Sequence, residues 1–177
     1  MALLEDITLT DSIEIRTTPE KVFSFITNLV DDNSYRVWHP DDHVSLRWIR
    51  GRPWEEGSVA CAEEYLHGRL HRMRFTVTRV VPNAEIHSAP ASRFLRRYFP
   101  GNAFYMEKRG DRCIFTATGT LRVGWLIKTF ARKKLDYGLS SVRQHMKEEG
   151  ENLKKILERC GNSRTAGTDD ESTPHDN

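Results

Sequence analysis

The segment Ser12-Ile13-Glu14-Ile15-Arg16-Thr17 alternates polar and apolar residues, the period of a strand with one buried face. Thr18-Pro19 then predicts a helix start, with Thr18 as N-cap and Pro19 at the first helical position, where its missing N–H costs nothing. Val22, Phe25, Ile26, Leu29 and Val30 continue at helical spacing as one apolar stripe. That helix should pack on a sheet and end near Asp31-Asp32-Asn33. From Val44 to Ile49 the residues Val44, Leu46 and Trp48 alternate with Ser45 and Arg47, a second strand turned by Gly51-Arg52-Pro53.

Residues 58–67 and 70–81 read as two long strands joined at His67-Gly68-Arg69-Leu70, a hairpin with glycine available for positive φ. In the second, His71, Met73, Phe75 and Val77 share one face and Arg72, Arg74, Thr76 and Thr78 the other. Pro82-Asn83 breaks the chain before a short strand near Glu85-Ile86-His87, and residues 90–101 form a connection rich in aromatics and arginines. Strands at 102–108 and 112–121 are joined by Gly110-Asp111. A last helix runs from about Trp125 or Thr129 to Arg159, with Leu135, Leu139, Val142, Met146, Leu153 and Ile156 as its buried stripe and Glu149 in one stripe position.

Strands grouped in sequence, rather than alternating with helices, argue for an antiparallel sheet and an α+β fold. The expected architecture is a helix-grip fold: six to seven curved antiparallel strands around the long C-terminal helix, enclosing a cavity lined by Leu139, Val142 and Met146. Residues 1–160 should form one domain. The polar, Pro-containing stretch 161–177 cannot bury apolar area and reads as a disordered tail.

Composition narrows the function classes. The chain has 177 residues, of which 38% are hydrophobic and 29% charged, and no apolar run approaches the ~20 residues needed to span a bilayer. The first residues turn acidic too early for a secretory signal, so a cytoplasmic location is expected. Cys61, Cys113 and Cys160 are odd in number and lack CxxC spacing, which indicates neither a disulfide framework nor a cysteine zinc site. A net charge of +2 with interleaved signs gives no electrostatic reason for nucleic acid as the main partner. No Gly-rich phosphate loop, nucleophile elbow or dinucleotide fingerprint is present.

The element order, with Ser12-Ile13-Glu14-Ile15 leading into Thr18-Pro19-Glu20-Lys21-Val22-Phe23 and a long closing helix, resembles the START-like superfamily of polyketide cyclases, aromatase-like proteins and lipid-binding domains, over roughly residues 10–158. The resemblance implies the fold and leaves the activity open, because hydrolases, cyclases, ligand carriers and chaperone activators share it. Trp38-His39-Pro40-Asp41-Asp42-His43 followed by Glu63-Glu64-Tyr65 is similar to the diacetylphloroglucinol hydrolase branch, which implies cleavage of a carbon–carbon bond with bound zinc.

Among polar groups, His39 and His43 lie four positions apart, but Pro40 disfavours helical geometry at His39, so this is no HExxH helix. In a loop at the cavity mouth the two imidazoles can converge on a metal, with Asp42 as ligand or orienter. The alternative is a pair of partly exposed loop residues. A turn at Gly68-Arg69 pairs position 67 with 70, 66 with 71 and 64 with 73, which sends Glu64 inward with Leu66 and Ala62 and Glu63 outward opposite Arg74. Glu64 near His71 would then be an inward carboxylate needing a partner, a proton or a metal. It can also be a hydrogen-bonded carboxylate that only shapes the cavity, and a three-residue loop would turn Glu63, Tyr65 and His67 inward instead.

The basic aromatic stretches Arg93–Phe99 and Trp125–Lys134 are either buried connections with solvated bases or a lid, membrane-facing or acid-binding surface. Two functions therefore stand open. One is binding of a hydrophobic or aromatic small molecule around Leu139, Val142 and Met146. The other is a metal-dependent hydrolase in which His39, His43 and Glu64 hold zinc, and Glu64 and His71 serve as acid and base. An interaction protein using the basic aromatic surface is a third.

Overall fold

The computed structural model describes residues 4–40, 43–66 and 69–162. β1 (Leu4–Ile15) pairs along its whole length with β7 (Arg112–Gly124), from Leu4 opposite Gly124 to Ile15 opposite Cys113. It thus begins well before Ser12, and Ile7 and Leu9 continue the inward set of Ile13 and Ile15. α1 (Pro19–Thr27) follows, with Thr18 in the N-cap position but making no side-chain cap hydrogen bond. Val22 and Ile26 are buried as expected, while Val30 is exposed.

Asp31-Asp32-Asn33, expected to end that helix, instead starts α2 (Asp32–Trp38). The reason is a capping box: the Asp31 carboxylate accepts from the Ser34 N–H at 2.8 Å, and the Ser34 hydroxyl accepts from the Asp31 N–H at 3.0 Å. Helix geometry ends at Trp38, and His39 leaves it at φ −122°, as the following proline requires.

Then come β2 (His43–Arg50), β3 (Val59–Leu66), β4 (Arg69–Val81), β5 (Glu85–Pro90), the short α3 (Arg93–Arg96), β6 (Gly101–Arg109) and β7. The seven strands form one antiparallel sheet in the order β1-β7-β6-β5-β4-β3-β2, so α1 and α2 bridge its two edges. Leu66 pairs with Arg69, and positions 67–68 lie outside the described residues. The register differs from the expected one by two residues: Glu64 faces His71 rather than Met73, and Glu63 faces Arg72 rather than Arg74. A shift of two preserves the alternation, so the assignment of faces survives.

The closing helix is divided into α4 (Trp125–Phe130) and α5 (Arg132–Asn162), and α5 extends past Arg159 through Gly161 and Asn162; the rest of the expected tail, 163–177, lies outside the described residues. α5 lies on β1 at Gly150, where a Cβ would sit 3.3 Å from Ile13 Cγ2, so a glycine lets the two backbones approach. The core between sheet and helices contains Leu9, Ile15, Val22, Trp38, Phe115 and Leu153. On the α5 stripe Leu139, Met146 and Leu153 are buried, but Val142 is 39% exposed. The expected burial of Val142 thus does not hold, although it keeps the helical spacing of Leu139 and Met146. Among the described residues no helix is long and apolar enough to cross a membrane.

Candidate functional site at the junction of the second and last helices

α2 and α5 are fastened together where the polar residues gather. The Trp38 indole N–H donates to the Glu149 backbone carbonyl at 2.9 Å, and the Asn152 amide donates to the Trp38 carbonyl at 3.3 Å. Tyr35 and Trp38 project from successive turns of α2, with ring centroids 6.1 Å apart. His39 comes directly after, its ring stacked on Tyr35 at 5.0 Å and on His145 of α5 at 5.4 Å.

At the end of this stack, His39 Nε2 lies 3.2 Å and His145 Nε2 3.4 Å from the Glu149 carboxylate. Ligand atoms of His39, His145 and Glu149 all fall within 4.8 Å of one another. Burial alone would push the Glu149 carboxyl up, but the adjoining His145 and His39 imidazoles outweigh it and hold the group at about 2. His39 Nε2 is buried, and among the described residues its polar neighbour is this carboxylate. Two imidazoles and one carboxylate form a donor set that suits zinc.

Glu64 sits on the other side of the Tyr35 ring system. It is 3% exposed, and the Tyr35 hydroxyl donates to its Oε1 at 2.8 Å. Burial, the negative charges of Glu64 and Glu149, and this hydrogen bond push the Tyr35 hydroxyl well above its usual range. The inward direction inferred for Glu64 agrees with this placement. Glu63 points to the opposite face, where Arg72 and Ser45 engage its carboxylate and hold it below the usual range.

His43 is buried but turned elsewhere: its Nε2 lies 3.5 Å from Asp32 Oδ1, and among the described residues neither ring nitrogen has a hydrogen-bond partner. Burial pushes its imidazole down, partly offset by Asp32 and Glu64. His39 and His43 therefore do not converge as a pair; Tyr35 lies between, its ring 4.9 Å from that of His43. His71 is the direct cross-strand partner of Glu64, yet it is exposed and outside this cluster. Asp42 lies outside the described residues.

The sequence reading missed His145. Its signal was present: a histidine one helical turn before Glu149 places both on one face, and a glutamate on an apolar stripe asks for a partner. Tyr35 was hidden by the missed helix, because only within α2 does it stand one turn from Trp38 and beside His39.

Residues 6–158 match the family described as polyketide cyclase / dehydrase and lipid transport. No curated protein matches the sequence significantly. Among solved structures, norcoclaurine synthase from Thalictrum flavum, in complex with dopamine and hydroxybenzaldehyde, is similar with a TM-score of 0.67 at 9% identity, over 89% of each chain. The crystal structure of Ara h 8.0201 has a TM-score of 0.61 at 11% identity, covering 88% of this chain and 99% of that one. The solution structure of the KanY protein has a TM-score of 0.64 at 14% identity, covering 87% and 99%. At such identities the likeness is one of fold, and the α+β architecture with a seven-stranded antiparallel sheet and a long C-terminal helix is common ground. With the family match extending over most of its length, the chain belongs to the polyketide cyclase / dehydrase and lipid transport family.

Proposed function

We propose that the chain binds a hydrophobic, aromatic-ketone-type small molecule between the sheet and α5, and hydrolyses a carbon–carbon bond of it beside a divalent metal ion. The observation that carries this reading is the convergence of His39, His145 and Glu149 from two helix-linked segments at the edge of the apolar interior. A cation would take up the same His39 nitrogen that now faces the Glu149 carboxylate at 3.2 Å.

His39, His145 and Glu149 would hold the ion, with zinc favoured by the mixed nitrogen and oxygen donors. When bound, such an ion polarises a carbonyl and lowers the pKa of a water molecule. The surrounding residues have separate tasks. Tyr35 fixes the orientation of Glu64, and Trp38 keeps His39 and Glu149 in one arrangement. Leu139, Met146 and the partly open Val142 offer apolar surface for the ligand. In the overall hydrolysis the acyl carbon gains the hydroxyl of water, the ring carbon gains the proton, and the bond between those carbons breaks.

His43 and His71, considered for metal and acid–base roles from sequence, lie apart from the three convergent groups, and the proposal does not use them. A binding module without turnover remains the second reading, favoured by the exposed Val142 between buried neighbours. The test is acetate release from acyl phenols, followed by NMR, before and after chelation. Turnover that chelator removes and zinc restores supports the hydrolase. Saturable binding of the same compounds without turnover supports the binding module instead.

A further inference from the structure

The outer face of the sheet, away from α5, carries a second concentration of chemistry. Arg50 at the end of β2, Arg74 in β4 and Arg96 in α3 surround a depression of about 380 Å³ whose floor includes Val59, Thr76 and Ala91. Three chain segments meet there because the Ala91 N–H donates to the Arg74 carbonyl at 2.9 Å, drawing the start of the α3 connection onto β4.

None of these arginines has a carboxylate partner among the described residues. Arg50 Nη2 donates to the Gly57 carbonyl at 3.2 Å and Arg96 Nε to the Pro90 carbonyl at 2.6 Å. Neutral carbonyls fix these two guanidinium groups in place without neutralising them, and among the described residues Arg74 has no side-chain hydrogen bond or ion pair. The contrast with the neighbouring Arg72 is informative, because that arginine is matched by Glu63 on the same face. No carboxylate lines the depression.

We infer that this depression is an anion-binding site for a phosphate-bearing ligand, separate from the proposed metal centre on the inner face. Phosphate suits it better than a single carboxylate: three guanidinium forks from three directions offer more donors and charge than two carboxylate oxygens can use. The volume leaves room for an organic portion, which Val59 and the exposed Ile49 can cover with apolar contact. The basic aromatic stretch around Arg96 thus gains a role that neither the fold nor the inner site requires.

The test uses pyrophosphate as probe, titrated calorimetrically into the full chain at fixed ionic strength. Saturable binding is expected, weakened about ten-fold or more by Arg74→Gln and by Arg96→Gln. Arg109→Gln, at the exposed β6–β7 turn, and His145→Ala, in the metal site, should bind like wild type. Arg74 is exposed, so its variant should fold normally, as checked by circular dichroism. No saturable heat, or wild-type affinity in both Arg74→Gln and Arg96→Gln, would overturn the inference. Loss of binding in His145→Ala alone would also overturn it, by placing the probe at the metal. Sedimentation with phosphatidic acid vesicles separates the two sources of phosphate. Arg74-dependent co-sedimentation supports a lipid head group, and pyrophosphate binding without it supports a soluble ester.

Discussion

Replacing Trp38 by phenylalanine tests how firmly α2 is tied to α5, and hence what holds His39 next to Glu149. The indole is 1% exposed and donates its N–H to the Glu149 carbonyl at 2.9 Å. It meets Phe25 and Phe104 edge-on, with centroids at 6.3 and 5.9 Å. Trp38→Phe leaves roughly 40 Å³ unfilled, worth about 1 kcal/mol at ~24 cal/mol per Å³. The lost hydrogen bond adds about 1 kcal/mol, and the weakened edge contacts add roughly 0.5 kcal/mol. The sum, about 2–3 kcal/mol, should appear in urea unfolding as a lower midpoint with an unchanged slope, and as a fall of about 5–10 °C in Tm. Trp125→Phe is the control, because Trp125 is 57% exposed and should shift stability by no more than about 0.5 kcal/mol. If the two variants behave alike, Trp38 does not fasten the helices and the packing argument fails.

Other expectations follow from single contacts. A Cβ at Gly101 would lie 2.7 Å from the Ser88 carbonyl oxygen, so Gly101→Ala should cost about 1–3 kcal/mol in chemical denaturation. Burial, aided by the charge of Glu20, pushes the Cys113 thiol up from 9.0 to about 11. A raised folded pKa gives stability that is full below pH 9 and lost as pH climbs through 11; wild type should lose about 2–3 kcal/mol more than Cys113→Ala between pH 8 and the top of that window. Leu153→Asp puts a charge at a fully buried position and should prevent folding, whereas Val142→Asp, at an exposed position of α5, should cost no more than about 1 kcal/mol while reducing uptake of an apolar fluorescent probe. Circular dichroism melts and probe titrations separate these two effects.

The fold was legible because most of its signals are local. Alternation in β4 and β7, the Thr18-Pro19 helix start and the spacing of Leu139, Met146 and Leu153 each reflect one face meeting one core. The α2 helix was obscured because Asp31-Asp32-Asn33 serves equally well as a stop or a start, and only the Ser34 side chain decides between them. Between β3 and β4 a register shifted by two residues changed every partner but no face, so Glu64 was placed on the correct side with the wrong direct partner. The site was harder to read because its members come from distant segments. His39 and Glu149 are 110 positions apart in sequence and meet only when α5 crosses the sheet. His39 and His43, four positions apart in sequence, are separated in space by Tyr35.

Metal analysis of the chain, purified without an affinity tag, incubated with zinc and desalted, addresses the proposed site. Wild type should retain about one equivalent of zinc, since two imidazoles and a carboxylate supply the three protein ligands of an open site. His145→Ala and Glu149→Gln should each lose most of it, while Glu63→Gln, whose carboxylate belongs to Arg72 on the other face, should keep it. Zinc-free wild type, or full retention in His145→Ala, would contradict the assignment of this cluster as a metal centre.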